Sequence, residues 1–136
     1  MSAAVTPSQF ADAVEALVGA TFRLGGRQPA TGIDCVGLVA CALGGAEAPT
    51  GYALRNTDVA RHLAFVARAG FGPARGALER GDLVLVRPGP AQHHLLVAVG
   101  PAAFVHAHAA LRRVVRQPGP LPWPQQARWR LLTQEG

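Results

Sequence analysis

Residues 34–43 read DCVGLVACAL: a single aspartate, then nine residues that are all apolar or glycine. A run this continuous is buried. Asp34 suits a helix N-cap and Gly44-Gly45 suits a stop, so the segment is expected to be a core helix. Cys35 then sits in its first turn. Working upstream, SQFADAVEALVG at 8–19 places Phe10, Val14, Leu17 and Val18 at helical spacing, with Ser8 as the expected cap. The intervening TFRLGGRQPATGI is rich in Gly and Thr and reads as a loop. Downstream, 46–56 reads as loop, and Thr57 or Asp58 opens a third helix running to about Arg68.

Beyond Gly70 the pattern changes. GDLVLVRPG, HHLLVAVG, AAFVHAHA, LRRVVRQ and RWRLL are strand-length runs bounded by Gly and Pro, and 117–126 carries four prolines in a surface loop. Helices followed by strands predict an α+β domain, its N-terminal helices packed on a C-terminal antiparallel sheet. The length, 136 residues, fits one domain spanning 1–136.

Composition narrows the function. The chain is 49% hydrophobic and 15% charged, which excludes disorder as its main state. No apolar run is long enough for a membrane span, and Met1–Phe10 shows no export signal. All 13 basic residues are arginine, giving a net charge of +5. A carboxylate-rich or polyanionic partner fits that charge. The arginines are dispersed, and no basic run or aromatic-interleaved patch points to nucleic acid. Cys35 and Cys41 do not make a disulfide framework: six helical residues separate them by about 9 Å along the axis.

Cys35 is the first candidate for chemistry. At a helix N-terminus the dipole and unpaired N–H groups are expected to lower a thiol's pKa, and the same N–H groups can stabilise an oxyanion. Gly32 allows close approach to that helix. Cys41, in mid-helix, reads as an inert core thiol. Four of the five histidines, His93, His94, His106 and His108, fall within sixteen residues on two neighbouring strands. Alternation puts His94 with Leu96 and Ala98, opposite the face of Leu95, Val97 and Val99; His106 and His108 share a face with Phe104. In a hairpin, His94 and His106 reach the same face, the base-plus-orienter arrangement of a nucleophile triad. His62 reads as a surface or core residue. A zinc site from Cys35, His94, His106 and His108 is the competing reading, without a CxxC or HExxH pattern or a second ligating cysteine at a suitable place to support it.

FRLGGRQPATGIDCVGLV at 22–39 resembles the nucleophile segment of the NlpC family of cell-wall cysteine peptidases. GDLVLVRPG at 81–89, HLLVAVG at 94–100 and FVHA at 104–107 resemble its three downstream segments, in the same order. The resemblance implies a papain-like core that hydrolyses an amide in peptidoglycan stem peptides, typically between D-glutamate and the diamino acid, without metal or cofactor. By position it implies Cys35 as nucleophile, His94 as general base and His106 as the residue orienting it. Phe22, Arg23, Asp34 and His108 are the implied substrate or oxyanion neighbours. Asp34 also reads as a cap, or as a partner of Arg23 or Arg27. The family has Pro-Tyr where this chain has Thr21-Phe22, so the ring is kept and the hydroxyl donor lost. Small size and the missing export signal resemble the branch carried on phage and gene-transfer-agent tails. That implies cytoplasmic synthesis, tail proteins as partners, and carriage on the particle to the wall. A catalytically weak tail or wall-binding protein on the same fold is the alternative; an acyltransferase or amidase with another substrate is a third.

Overall fold

The computed structural model describes residues 5–44, 60–89 and 92–132. Helix α1 spans Pro7–Ala16. Its cap is Thr6 rather than Ser8: Thr6 and Gln9 exchange side-chain-to-backbone hydrogen bonds, and Pro7 opens the first turn. Ser8 therefore lies inside the helix. The loop that follows contains a small ribbon, β1 (Arg27–Gln28) and β2 (Gly32–Ile33), too short to leave a periodicity in the sequence. Helix α2 spans Cys35–Ala42 with Asp34 as N-cap, and α3 spans Ala60–Arg68. The expected loop at 46–56, the start of α3 and the side chain of His62 lie outside the described residues. Among the described residues, no helix is long and apolar enough to cross a membrane.

Six strands form the main sheet: β3 (Phe71–Pro73), β4 (Leu83–Val86), β5 (His94–Gly100), β6 (Ala103–His108), β7 (Arg113–Pro118) and β8 (Gln125–Leu131). The order is β3-β8-β4-β5-β6-β7, with antiparallel neighbours. The last strand thus inserts between β3 and β4. Asp82, fully buried at the start of β4, explains why that insertion holds. It accepts from Arg130 Nε at 2.7 Å, from Arg128 Nη1 at 2.8 Å and from the Glu79 backbone N–H at 3.0 Å. Burial alone would raise its pKa; Arg130, the Glu79 amide and Arg128 outweigh that and hold it below the ordinary carboxylate value. The Gly-Asp-Leu motif is in this way a structural tie between β4 and β8.

The two faces of the sheet bury different residues. Leu95, Val97, Val99, Val105, Ala107 and Val114 pack against α1 and α2 with Phe10, Val14, Leu38 and Val39. Val84, Val86, Leu96, Ala98 and Phe104 face the other way, under Leu78, Leu121 and Trp123 from loops. The alternation expected along β5 and β6 is therefore observed.

The loop at 25–33 presses on α2 through glycines. A Cβ on Gly37 would stand 2.1 Å from the Gly26 carbonyl oxygen, and one on Gly26 would stand 2.1 Å from that of Gly32. Both obstacles are backbone atoms, so neither can swing aside. Gly37→Ala is expected to lower stability by about 1–3 kcal/mol, as overpacking does, read as a shift in the denaturant midpoint. An unshifted midpoint would show that loop and helix are not in the close contact described.

Candidate active site

Cys35 is the first residue of α2 and is only 9% exposed. Asp34 fixes the helix start. Its Oδ1 accepts from Gly37 N at 2.8 Å and from Arg27 Nη1 at 3.1 Å, and its Oδ2 accepts from Gly25 N at 2.8 Å. One carboxylate caps the helix and ties down the preceding loop, so the cap and the Arg27 partnership are both real. Phe22 is half-buried, and its backbone bridges to Ile33, two residues before Cys35. Arg23 is exposed; its backbone donates to the Ile33 carbonyl at 3.2 Å. Cys41 lies one and a half turns along, its Sγ 3.2 Å from the Arg27 carbonyl oxygen, and both cysteines are free thiols.

The sequence predicts an acidified Cys35, and the structure corrects this. Burial, then the charge of Asp34, push the thiol up to about 12, against the backbone amides of Leu95 and Val36 and the charge of Arg27. The Val36 amide at the helix start does lower it as expected; desolvation is larger. The amide contact also locates the thiol: it lies against Leu95, the residue after His94.

His94 opens β5, and its Nε2 lies 2.8 Å from Nδ1 of His106 on β6. His106 is 1% exposed, and its Nε2 lies 2.7 Å from Oε1 of Gln117 on β7. The chain of contacts crosses three adjacent strands on one face. Register accounts for it: His106 stands opposite Val115 and Phe104 opposite Gln117, so Gln117 is a diagonal neighbour of His106. An amide oxygen only accepts, so His106 Nε2 carries a proton and its Nδ1 accepts from His94 Nε2–H. His94 Nδ1 is then the nitrogen left outside this chain, with its lone pair.

Two more rings complete the site. Trp123 meets His94 edge-on at 6.4 Å and His106 at 6.0 Å between centroids. It also lines a cavity of about 440 Å³ with Leu78, Phe104 and Leu121. His108 lies 5.4 Å from His106, and its Nδ1 accepts from the Leu111 backbone N–H at 3.2 Å. Gln117 and Trp123 are absent from the sequence reading. Gln117 becomes visible only with the β6–β7 register, and Trp123 only once the proline-rich loop folds over the sheet.

Burial, then His106 and His108, push His94 down to about 3, and burial likewise lowers His106. Thiol and imidazole are thus both neutral at rest. Between pH 6.5 and about 3 the unfolded chain holds the proton that folded His94 refuses, so stability should fall as pH drops through that window. One fully linked proton contributes a slope of about 1.4 kcal/mol per pH unit. Asp82 adds a loss only near and below its ordinary value of 3.8. Urea titrations between pH 4.5 and 6.5 should show the slope in the unmodified protein and a shallower one in His94→Gln. Equal slopes would contradict the neutral His94 ring.

The chain is similar in fold to NlpC2 from Trichomonas vaginalis, with a TM-score of 0.70 and 21% identity over 98% of this chain and 49% of that one. It is also similar to the peptidoglycan hydrolase RipB from Mycobacterium tuberculosis, with a TM-score of 0.62 and 21% identity over 95% and 65%. The NlpC/p60 domain of the peptidoglycan hydrolase SagA matches with a TM-score of 0.56 and 21% identity over 84% and 90%. The chain spans about half of NlpC2 and about two-thirds of RipB. No curated protein matches it. The α+β arrangement of helices on an antiparallel sheet is that of these papain-like structures. The NlpC/P60 family profile matches residues 19–127, from the loop before Cys35 through β7 and into β8, and the chain belongs to that family.

Proposed function

We propose that the chain is a cysteine endopeptidase that hydrolyses an amide bond in peptidoglycan stem peptides. The observation that carries this is the polar chain His94–His106–Gln117, whose first member precedes Leu95, the residue whose backbone amide meets the Cys35 thiol at a helix N-terminus. Family membership supports it, as do two structural neighbours described as peptidoglycan hydrolases.

In this reading the Cys35 proton passes to His94 Nδ1 as sulfur attacks the scissile carbonyl carbon. Backbone N–H groups at the start of α2 receive the developing oxyanion. The carbon–nitrogen bond then breaks, and His94 returns the proton to the leaving amine. Water, deprotonated by His94, hydrolyses the thioester and restores the thiol. His106 keeps the His94 ring oriented throughout and meets the imidazolium as it forms. A resting neutral pair suits this sequence, because charge is created only when substrate is present to share it.

The bond between D-glutamate and the diamino acid is the proposed target, supported by the resemblance of the Cys35 segment. Arginines near the cleft would meet the carboxylates of such stems. Carriage on a phage-like or gene-transfer-agent tail, with tail proteins as partners, belongs to the same proposal and rests on that resemblance alone. Phe22 favours a second reading, a catalytically weak wall-binding protein, because it lacks a hydroxyl donor beside the α2 start.

Digestion of diaminopimelate-type muropeptides, followed by mass spectrometry, separates these readings. A new stem fragment ending at D-glutamate supports the peptidase and fixes the bond. Retention on intact wall without any fragment supports the second reading.

A further inference from the structure

We propose that Gln117 is a positioning residue that sets the tautomers of both histidines, so that His94 presents an unprotonated Nδ1 to the thiol. The inference rests on the peptidase reading and extends it one residue beyond the nucleophile, base and orienter.

Neutral imidazole exists in two tautomers, and only one arrangement of this pair suits base catalysis. A two-histidine contact by itself does not choose between them. His94 Nε2–H could donate to His106 Nδ1, or His106 Nδ1–H could donate to His94 Nε2, at the same 2.8 Å. The second arrangement would place the His94 proton on Nδ1, leaving no base toward Cys35. A third group must break the degeneracy, and Gln117 does so in the amide orientation observed, with Oε1 rather than its NH2 toward His106. Its Oε1, 2.7 Å from His106 Nε2, accepts and cannot donate, which holds the His106 proton on Nε2. His106 Nδ1 is thereby an acceptor, and His94 Nε2 must donate to it.

The surroundings support this assignment. His106 is 1% exposed, so water does not compete for Nε2. Trp123 stands edge-on to both rings and limits their rotation. The groups acting electrostatically on the pair are the histidines themselves and His108 from the same strand as His106; Gln117 on β7 contributes its hydrogen bond. His108 is occupied separately, as an acceptor for the Leu111 N–H. A neutral amide sets the proton position without adding charge, which a carboxylate in the same place would do.

The test is a pair of substitutions, Gln117→Leu and Gln117→Glu, with two readouts. Leucine fills similar space without an acceptor. It is expected to lower kcat about 10- to 100-fold, the usual effect of losing an outer partner of a functional histidine, with KM and the melting temperature little changed. Glutamate keeps the acceptor and should restore most of kcat, with the acid limb of the pH–rate profile moved to higher pH, because its charge favours the imidazolium. The second readout needs no activity. Long-range proton–nitrogen NMR of the ring nitrogens should show His106 as the Nε2–H tautomer in the unmodified protein and in Gln117→Glu, and a mixture in Gln117→Leu. Unchanged kcat or unchanged tautomers in Gln117→Leu would overturn the proposal, as would a folded Gln117→Glu as impaired as the leucine variant. If the unmodified protein cleaves no stem peptide, the peptidase reading fails, while the tautomer measurement still decides the role of Gln117.

Discussion

Cys35→Ala is expected to lower stem-peptide hydrolysis by about 10⁴-fold or more, with the fold intact. In the proposed mechanism the substitution removes the atom that forms the acyl intermediate, and no neighbouring group replaces it. Asp34 is adjacent, but its oxygens are held by Gly25, Arg27 and Gly37. A 10⁴-fold loss is about 5.5 kcal/mol of transition-state stabilisation. Stability should change by about 1 kcal/mol, since one small buried sulfur is removed and the Asp34 cap remains. Cys41→Ala is the matched control: it also deletes one helical thiol, but that sulfur faces the Arg27 carbonyl, so hydrolysis should persist. Initial rates of muropeptide cleavage and thermal melts of all three proteins check both halves. Comparable hydrolysis by Cys35→Ala would remove the thiol from the mechanism.

The second large effect belongs to His94. With the thiol pushed up to about 12, only about one molecule in 10⁵ carries a thiolate at pH 7. Attack therefore depends on a base that takes the proton during the reaction. His94→Gln is expected to lower kcat by about 10²- to 10⁴-fold, the range of a lost general base, with a smaller effect on KM. The residual activity should have a different pH dependence. It should rise about tenfold per pH unit through neutrality and beyond, following the thiolate population, whereas the unmodified enzyme plateaus. The double variant with Cys35→Ala should be no worse than Cys35→Ala alone, because the two act as one unit. A flat profile in His94→Gln would show that the proton goes elsewhere.

The residues at the centre of this account were readable in the sequence because each sits where local rules are strong. Asp34 before an apolar run marks a helix start, and the helix begins at Cys35. Alternation along HLLVAVG and AFVHAH separates the core-facing set from the histidine set, and the two rings do meet across the strands. What escaped depended on longer range. The β3 and β8 pairing joins segments some sixty residues apart, and nothing local in Phe71–Pro73 announces it. The cap of α1 moved from Ser8 to Thr6 because Pro7 is preferred just inside the first turn. The thiol of Cys35 is less acidic than its helix position implies for a related reason. Position at a helix terminus is a local property, but burial against β5 is tertiary, and desolvation is the larger effect here. Gln117 is the same case: a glutamine in RVVRQP has no distinguishing mark until β7 is set beside His106.

The most direct test of the central claim is to catch the acyl-enzyme. The protein is mixed with stem peptide, quenched in acid within a turnover, digested, and its peptides are weighed. A substrate-derived mass is expected on Cys35 and not on Cys41, the two distinguished by fragmenting the peptide that carries them, with the adduct appearing together with the amine fragment and before the fragment ending at D-glutamate. Fragment release without any adduct on Cys35, or an adduct carried by another residue, would contradict the claim.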